Sequence, residues 1–283
     1  MKQFLFVVPL TPTKLLTPLR RMLFQEFIRA LNNQKYSNWQ ALLIGEEEKQ
    51  EGNITYAKVK AESKEIKLIF AKEYIINMVI KPDYIIRIDD DDLINPHLLE
   101  KLSKMDFDCY ADKFHTFYNI TSGKICQKEK SWLANTVVHK FEHAMMEIGE
   151  DKLPILNCDH SKEWYLYYQN RNLIFAPNNH PVYLRVLSPT TVTCGIYNSK
   201  IVTVYEKYIE FKSKVVKLNK QSDIDFKRYS NYLKGFGKWK YKKINDFTNC
   251  INRLDYVWEE FSGQKKSNNF MIKILKKWNS LME

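Results

Sequence analysis

Glycine and proline are scarce in this 283-residue chain, at 8 and 9 residues. With 45% hydrophobic and 14% aromatic content, that argues against a low-complexity or disordered chain and leaves enough apolar material for a filled core. Cysteine is sparse too. Five residues (Cys109, Cys126, Cys158, Cys194 and Cys250) are scattered, odd in number and free of any C-x-x-C pair, so neither a disulfide framework nor a cysteine zinc knuckle is suggested. No apolar run approaches the length that spans a bilayer. The opening "MKQFLFVVPLTPTK" has a basic residue and a short apolar stretch, but no small-residue cleavage site. Pro9 and Pro12 interrupt it, so it reads as a strand rather than a signal peptide. No internal repeat is visible. The expectation is a reduced, cytoplasmic chain with one large domain, or one domain and a sizeable appendage.

What is present is unevenly distributed charge. The net charge is +11, and residues 201–283 carry most of it, with 18 basic against 9 acidic side chains. Residues 1–200 are nearly balanced. The C-terminal region therefore suits an anionic partner: a membrane surface, a lipid phosphate or nucleic acid.

Hydrophobic periodicity organises the first hundred residues. "FLFVV" (4–8) is a short buried-strand run ended by Pro9. Residues 15–33 place Leu19, Leu23, Phe27, Ile28 and Leu31 at helical spacing. "WQALLIG" (39–45), "ITYAKVK" (54–60) and "YIIRI" (84–88) read as strands, and "EIKLIFAKEYIINMVI" (65–80) as a helix closed by Lys81-Pro82. Asn95-Pro96 reads as an N-cap with proline at the first helical position, opening "HLLEKLSKM". Strand alternating with helix predicts an α/β fold with an open sheet, whose ligands sit beyond the carboxyl ends of the strands. Beyond residue 107 the pattern predicts strands with a Ser122-Gly123 turn, a helix over 131–148, and short strands at 173–176 and 182–187.

The run "IIRIDDDDLINP" (85–96) stands at such a strand mouth. Alternation along an extended segment points Asp89 and Asp91 to one side, together with Arg87. Paired carboxylates form a hard-oxygen site suited to Mg²⁺ or Mn²⁺, with substrate phosphates completing the coordination. The plain alternative is a solvated acidic loop that caps the following helix.

"NNQKYSNWQALLIG", followed by "PDYIIRIDDDDLINPHLLEKL", resembles the nucleotide-sugar half of GT-A-fold glycosyltransferases related to family 2. Arg87 before the aspartates is similar to a bacterial rhamnosyltransferase-like group. The resemblance covers residues 3–105 and implies a GT-A, Rossmann-like open mixed sheet flanked by helices. It also implies that Asp89 and Asp91 form the D-x-D pair that holds the cation bridging a donor diphosphate, with Asp90 beside them and Asp92 as an additional acid. The second strand of that family ends in aspartates that contact the nucleotide. Here "IGEEE" follows it, so Glu46 or Glu47 takes their place. Pro9, Leu10 and Thr11 fall where the family places the nucleobase.

Residues 106–200 would form the acceptor half of a catalytic domain spanning 1–200. The resemblance implies a carboxylate base at the start of a helix, and "NCDHSKEWYLYY" (157–168) offers Asp159, with His160 beside it and Trp164 as a sugar-stacking platform. A helix cap at Asp159 or Ser161 is the bland reading, and Asp151 and Glu163 compete for the role. Arg185, in "YLRVLSPTTVT", is similar in place to a basic residue that meets the diphosphate. A structural or surface arginine is the alternative.

A rival motif is "HKFEH" (139–143), which matches the inverted zinc-protease pattern H-x-x-E-H. On a helix, His139 and His143 would lie one turn apart with Glu142 as base, but they would also be the solvated face opposite an apolar stripe. Residues 201–283 read as helical and basic. "FMIKILKKWNSLM" (270–282) has an interfacial-helix profile, and packing on the domain is the alternative. Nucleic acid ranks below these.

Three functional expectations follow. The first is a Mn²⁺- or Mg²⁺-dependent, inverting glycosyltransferase. Its partners would be a nucleotide-sugar donor and a glycan or lipid-linked glycan acceptor of a bacterial surface polysaccharide (capsule or lipopolysaccharide). It would be cytoplasmic and peripheral on the inner membrane through its basic region. The second is a non-catalytic binding protein acting through that region. The third is a zinc hydrolase.

Overall fold

The computed structural model describes residues 1–187 apart from 17, 62, 120–123, 130–135, 150–152, 158–161 and 178–179. Residues 1–116 and 127–185 belong to one compact unit, and 117–119, 124–126 and 186–187 to a second. The side chains discussed below as a site lie in the first unit.

The first unit is built on β1 (Phe4–Pro9), α1 (Pro18–Asn32), β2 (Trp39–Gly45), β3 (Lys49–Glu51), β4 (Ile54–Lys58), α2 (Lys64–Asn77) and β5 (Tyr84–Arg87). There follow β6 (Leu93–Ile94), α3 (Leu98–Leu102), β7 (Cys109–Ala111), β8 (Phe114–Asn119), β9 (Lys124–Glu129), β10 (Val138–Lys140) and α4 (Phe141–Ala144). The last elements are β11 (Glu147–Ile148), β12 (Leu153–Pro154), α5 (Lys162–Tyr168), β13 (Leu173–Phe175) and β14 (Tyr183–Leu187).

Eight strands form an open sheet in the order β13-β7-β10-β5-β1-β2-β4-β3. The centre is parallel: β1 pairs with β2 and β5, and β2 with β4. β10 enters antiparallel between β5 and β7, so the sheet is mixed. The short β6 pairs with β14, in register Tyr183↔Ile94 and Leu184↔Leu93, in a second sheet that β8 and β9 continue. The α/β class with an open mixed sheet and flanking helices is therefore as expected.

Alternation explains why the central strands are apolar on every residue. Phe4, Phe6, Val8 and Ile86 face a layer containing Phe27 and Leu31 of α1 and Leu98, Leu99 and Leu102 of α3. Leu5, Val7 and Ile85 face Leu68, Ala71 and Ile75 of α2. Both faces are covered, so a continuous apolar run is what a central parallel strand requires. A ring stack of Phe4, Tyr84 and Phe107 fills the first layer, with centroids 5.5 and 4.4 Å apart.

Two expectations are corrected. Residues 131–148 are not one helix. Val138–Lys140 is strand β10, and among the described residues of this stretch only Phe141–Ala144 is helical. Val138 and His139 pair with β5 on one side and β7 on the other, and tertiary pairing overrides a periodicity that also fits a helix. Asn95 does not cap a helix at Pro96. α3 starts at Leu98, and the Asn95 side chain accepts from the His97 amide at 3.0 Å while donating to the Pro181 carbonyl at 2.9 Å. The Ser122-Gly123 turn lies outside the described residues, as does the basic region 201–283.

Ile86→Ala, at the sheet centre, is expected to cost about 2 to 5 kcal/mol, and Ile69→Ala on the exposed side of α2 no more than about 0.5 kcal/mol. Urea unfolding midpoints of the two variants measure the contrast.

Candidate functional site

Strands β1, β2 and β5 run parallel and end together at Pro9, Gly45 and Arg87. The loops that leave them are drawn into one polar network. At Gly45 an added Cβ would lie 3.0 Å from a Leu10 methyl, so the Leu10 side chain would have to give by a small shift to admit any larger residue.

The aspartate run is a turn rather than an extended segment. β5 stops at Arg87, and the Asp92 amide donates to the Asp89 carbonyl at 3.2 Å. The alternation that would set Asp89, Asp91 and Arg87 side by side is thus replaced. Asp90 and Asp91 instead share one partner: the Arg20 guanidinium of α1 donates to Asp90 Oδ1 and to Asp91 Oδ2, each at 2.9 Å. These three side chains are no more than 10% exposed. Arg20 also donates to Thr11 Oγ1 at 2.5 Å. Thr11 in turn donates through its amide and its hydroxyl to Asp90, at 2.7 and 3.0 Å. Asp89 turns outward and pairs with Lys64, the first residue of α2, at 2.7 Å.

Burial and charge oppose each other here. Burial raises the Asp89 carboxyl, but Lys64 and Arg87, with Arg185 adding to them, outweigh it and hold it well below the usual carboxylate range. Asp91 is pushed up to about 6, because burial and the like charges of Asp90 and Asp89 exceed the pull of Arg20 and Arg185. Arg185 of β14 is therefore within electrostatic reach of Asp89 and Asp91.

The loop after β1 is held at further points. Lys67 of α2 is 1% exposed, and its ammonium donates to the Leu10 carbonyl at 2.6 Å. Glu46, at the exit of β2, accepts from the Thr13 amide at 3.0 Å, and hydrogen bonding to Thr13, first through its side chain and then through its amide, lowers the Glu46 carboxyl. Glu47 points elsewhere, to Lys49 at 3.1 Å. Pro9, Thr11, Glu46, Asp89, Asp90, Asp91 and Arg185 are thus gathered by three strand ends and β14. Sequence reading missed Arg20, Lys64 and Lys67. Each sits in a helix where a basic residue reads as surface, and only packing turns it inward.

Arg87 is fully buried and donates to the Leu156 carbonyl at 3.1 Å. It ties the strand that bears the aspartates to the segment that leads to residue 159. Asp159, His160 and Asp151 lie outside the described residues. Trp164 and Glu163 fall in α5, and their side chains are not among those described.

The zinc-hydrolase expectation is overturned. His139 is in β10, buried, and bonded through Nδ1 to the Tyr168 hydroxyl at 2.9 Å. Burial, with the nearby charges of Arg87 and His143, lowers it to about 3. His143 is in α4, with Tyr167 at 2.8 Å and Asp108 at 3.3 Å, and Glu142 pairs with Lys140 at 2.9 Å. The motif residues are spread over a strand and a short helix and turn to different partners. Among the described residues no group of three or more His, Cys, Asp or Glu is arranged to hold a metal ion.

That last fact also bounds the aspartate site. Among the described residues the aspartate turn offers no group of three or more ligating side chains, so it is not a cage. The donor set still fits Mg²⁺ or Mn²⁺, which take hard oxygens and are commonly held by one or two carboxylates plus substrate phosphates. Asp89 and Asp91 are the residues that would hold it.

No family model and no curated protein matches the sequence. Among solved structures, S. aureus TarS 1–349 is similar over 89% of this chain and 80% of its own, at 10% identity and a TM-score of 0.41. A longer TarS structure is similar over 90% of this chain and 50% of its own, at 11% identity and 0.42, so this chain spans about half its length. The glycosyltransferase GlyE of Streptococcus pneumoniae TIGR4 is similar over 84% and 64%, at 8% identity and 0.37. Likeness at this level does not decide function.

Two outcomes are expected of this network. Arg20→Met leaves two buried carboxylates without their partner and should cost about 3 to 5 kcal/mol, read by chemical denaturation at pH 7. Asp112, buried at the end of β7, accepts from the Val182 amide at 2.9 Å yet is raised by burial to about 7. Its ordinary value is near 4, so between about pH 4 and pH 7 the folded state binds more protons than the unfolded one. Stability contributed by this group is present at low pH and lost as pH rises through 7. Asp91 acts in the same sense. Asp112→Asn should flatten the pH dependence of the urea midpoint over that window.

Proposed function

We propose that this chain is a nucleotide-sugar glycosyltransferase of the GT-A type, dependent on Mn²⁺ or Mg²⁺ and inverting at the transferred carbon. The observation that carries the reading is the carboxylate turn at the mouth of central strand β5. Cationic side chains from α1, α2 and β14 surround it, and the β1 and β2 exit loops adjoin it. Ligands of open α/β sheets bind at such strand ends.

In this reading Asp89 and Asp91 hold the cation. When bound, the cation neutralises charge that develops on the departing diphosphate. Arg185 adds a fixed positive charge on the same side. Pro9, Thr11 and Glu46 border the nucleobase, where Lys67, Arg20 and Asp90 keep the loop in place without substrate. Preorganised donors and charges of this kind cost no rearrangement during the reaction. Asp159 takes the proton of the acceptor hydroxyl, and Trp164 and His160 adjoin the acceptor sugar. Arg87 steadies the chain that leads to Asp159 through the Leu156 carbonyl. The acceptor is a growing bacterial surface glycan, of capsule or lipopolysaccharide type. Residues 201–283 bring the enzyme to the inner face of the membrane where such acceptors are lipid-linked.

A thermal-shift panel of UDP-, GDP- and dTDP-sugars, each with and without Mn²⁺, tests this. One donor should raise the melting temperature by several degrees only when Mn²⁺ is present. Asp91→Asn should lose that increment and at least about 100-fold in transfer or donor hydrolysis while remaining folded. A fully active Asp91→Asn protein would sink the assignment.

A further inference from the structure

β14 brings Arg185 towards the aspartate turn, yet its pairing with β6 is too short to fix where it lies. β6 has two residues, and the pairs are Tyr183↔Ile94 and Leu184↔Leu93. Carried one step further, that register sets Arg185 opposite Asp92, the last residue of the turn. Side chains alternate between the faces of a strand, so a slip of one residue would turn Arg185 to the other side of its sheet. β8 flanks β14 on its other edge, but that pairing does not set β14 against the turn.

The register is pinned just ahead of these pairs, at Pro181 and Val182, by buried groups from two other parts of the chain. Asn95 is 3% exposed, and its side-chain amide donates to the Pro181 carbonyl at 2.9 Å. Its backbone amide donates to the Val182 carbonyl at 3.1 Å. Asp112, 2% exposed, accepts from the Val182 amide at 2.9 Å. Asn95 follows β6 directly and stands three residues after Asp92, so the clamp belongs to the chain that carries the aspartates. Asn95 is itself held. Its Oδ1 accepts from the His97 amide at 3.0 Å, and its carbonyl accepts from the Gln34 side chain at 2.9 Å. A buried amide bonded through both ends of its side chain and through its backbone is fixed in orientation. An asparagine that served only the His97 amide would need none of the bonds to Pro181 and Val182.

We propose that Asn95 is a positioning residue of the donor site. With Asp112 it locks the entry of β14 against the exit of the aspartate turn, and so holds Arg185 where it meets the diphosphate of a nucleotide sugar. This rests on the glycosyltransferase reading above. Asn95 touches no substrate and acts through Arg185.

A double-mutant cycle on the full chain tests this. Asn95→Ser keeps an oxygen for the His97 amide but does not reach the Pro181 carbonyl. UDP, GDP and dTDP are titrated calorimetrically at saturating Mn²⁺. The tightest is carried through wild type, Asn95→Ser, Arg185→Gln and the double variant, with circular dichroism as the check on each fold. Arg185→Gln should weaken the nucleoside diphosphate by about tenfold or more, as loss of a charged donor to phosphate does. Asn95→Ser should weaken it by about three- to tenfold when Arg185 is present, and by less than about twofold in the Arg185→Gln background. A residue that only stabilised the fold would lower affinity by the same factor in both backgrounds, or not at all. Where Asn95→Ser does not fold, Asp112→Ala releases the Val182 amide instead and carries the same cycle. Equal factors in the two backgrounds, or no effect of the clamp variant, overturn the positioning role and leave the glycosyltransferase reading standing. An Arg185→Gln variant of full affinity overturns the positioning role together with the diphosphate role of Arg185. A wild type that binds none of the three nucleotides overturns the nucleotide-sugar reading as well.

Discussion

One buried guanidinium organises this molecule's polar end. Two adjacent aspartates on a tight turn repel each other and are costly to bury, and Arg20 relieves both through one planar fork. The fork fixes three chain segments at once: α1 that carries it, the turn after β5, and the loop after β1 through Thr11. A lysine could supply the charge but not two directed contacts in one plane. The sheet beneath makes the arrangement possible, because parallel β1 and β5 end side by side and deliver Thr11 and Asp90 to the same place.

The rest of the first unit follows from covering both faces of that sheet. α1 and α3 bury one face and α2 the other, so the helix starts and strand ends come to share a rim. Basic residues at the inner edge of the helices then find acidic or carbonyl partners on the loops. Lys67 holds the Leu10 carbonyl from one side, as Arg20 holds the aspartates from the other. Arg87 performs a related task inside the sheet. It ties β5 to the chain around Leu156 through one buried hydrogen bond. The result is a charged rim whose inner pairs, Arg20 with Asp90 and Asp91, are buried and whose outer pair, Lys64 with Asp89, is partly exposed.

Strands β1, β2, β4 and β5 and helices α1 and α2 were legible from periodicity and breakers, because their burial is one-sided or two-sided in a regular way. The stretch from Val137 to Ile148 was not. Its apolar positions satisfy a helical stripe, yet Val138 and His139 find backbone partners on both β5 and β7, and that pairing wins. The histidine motif disappeared for the same reason, since H-x-x-E-H has meaning only on one helix. Asn95 was read as a cap because its neighbour is proline, but β6 had already claimed the preceding backbone for pairing with β14.

By itself the sequence determined the α/β class, the strand that ends in carboxylates, and the acidic and polar residues of the β1, β2 and β5 exits. Those are local facts, written in apolar runs, prolines and a row of four aspartates. Only the tertiary structure decided which cation each aspartate meets. Lys64, Lys67 and Arg20 stand 25, 57 and 71 positions from Asp89, Leu10 and Asp91, on helices whose inward turn no local spacing reveals. Charge pairing across such distances depends on how helices lie on the sheet, and that is set by packing rather than by any motif.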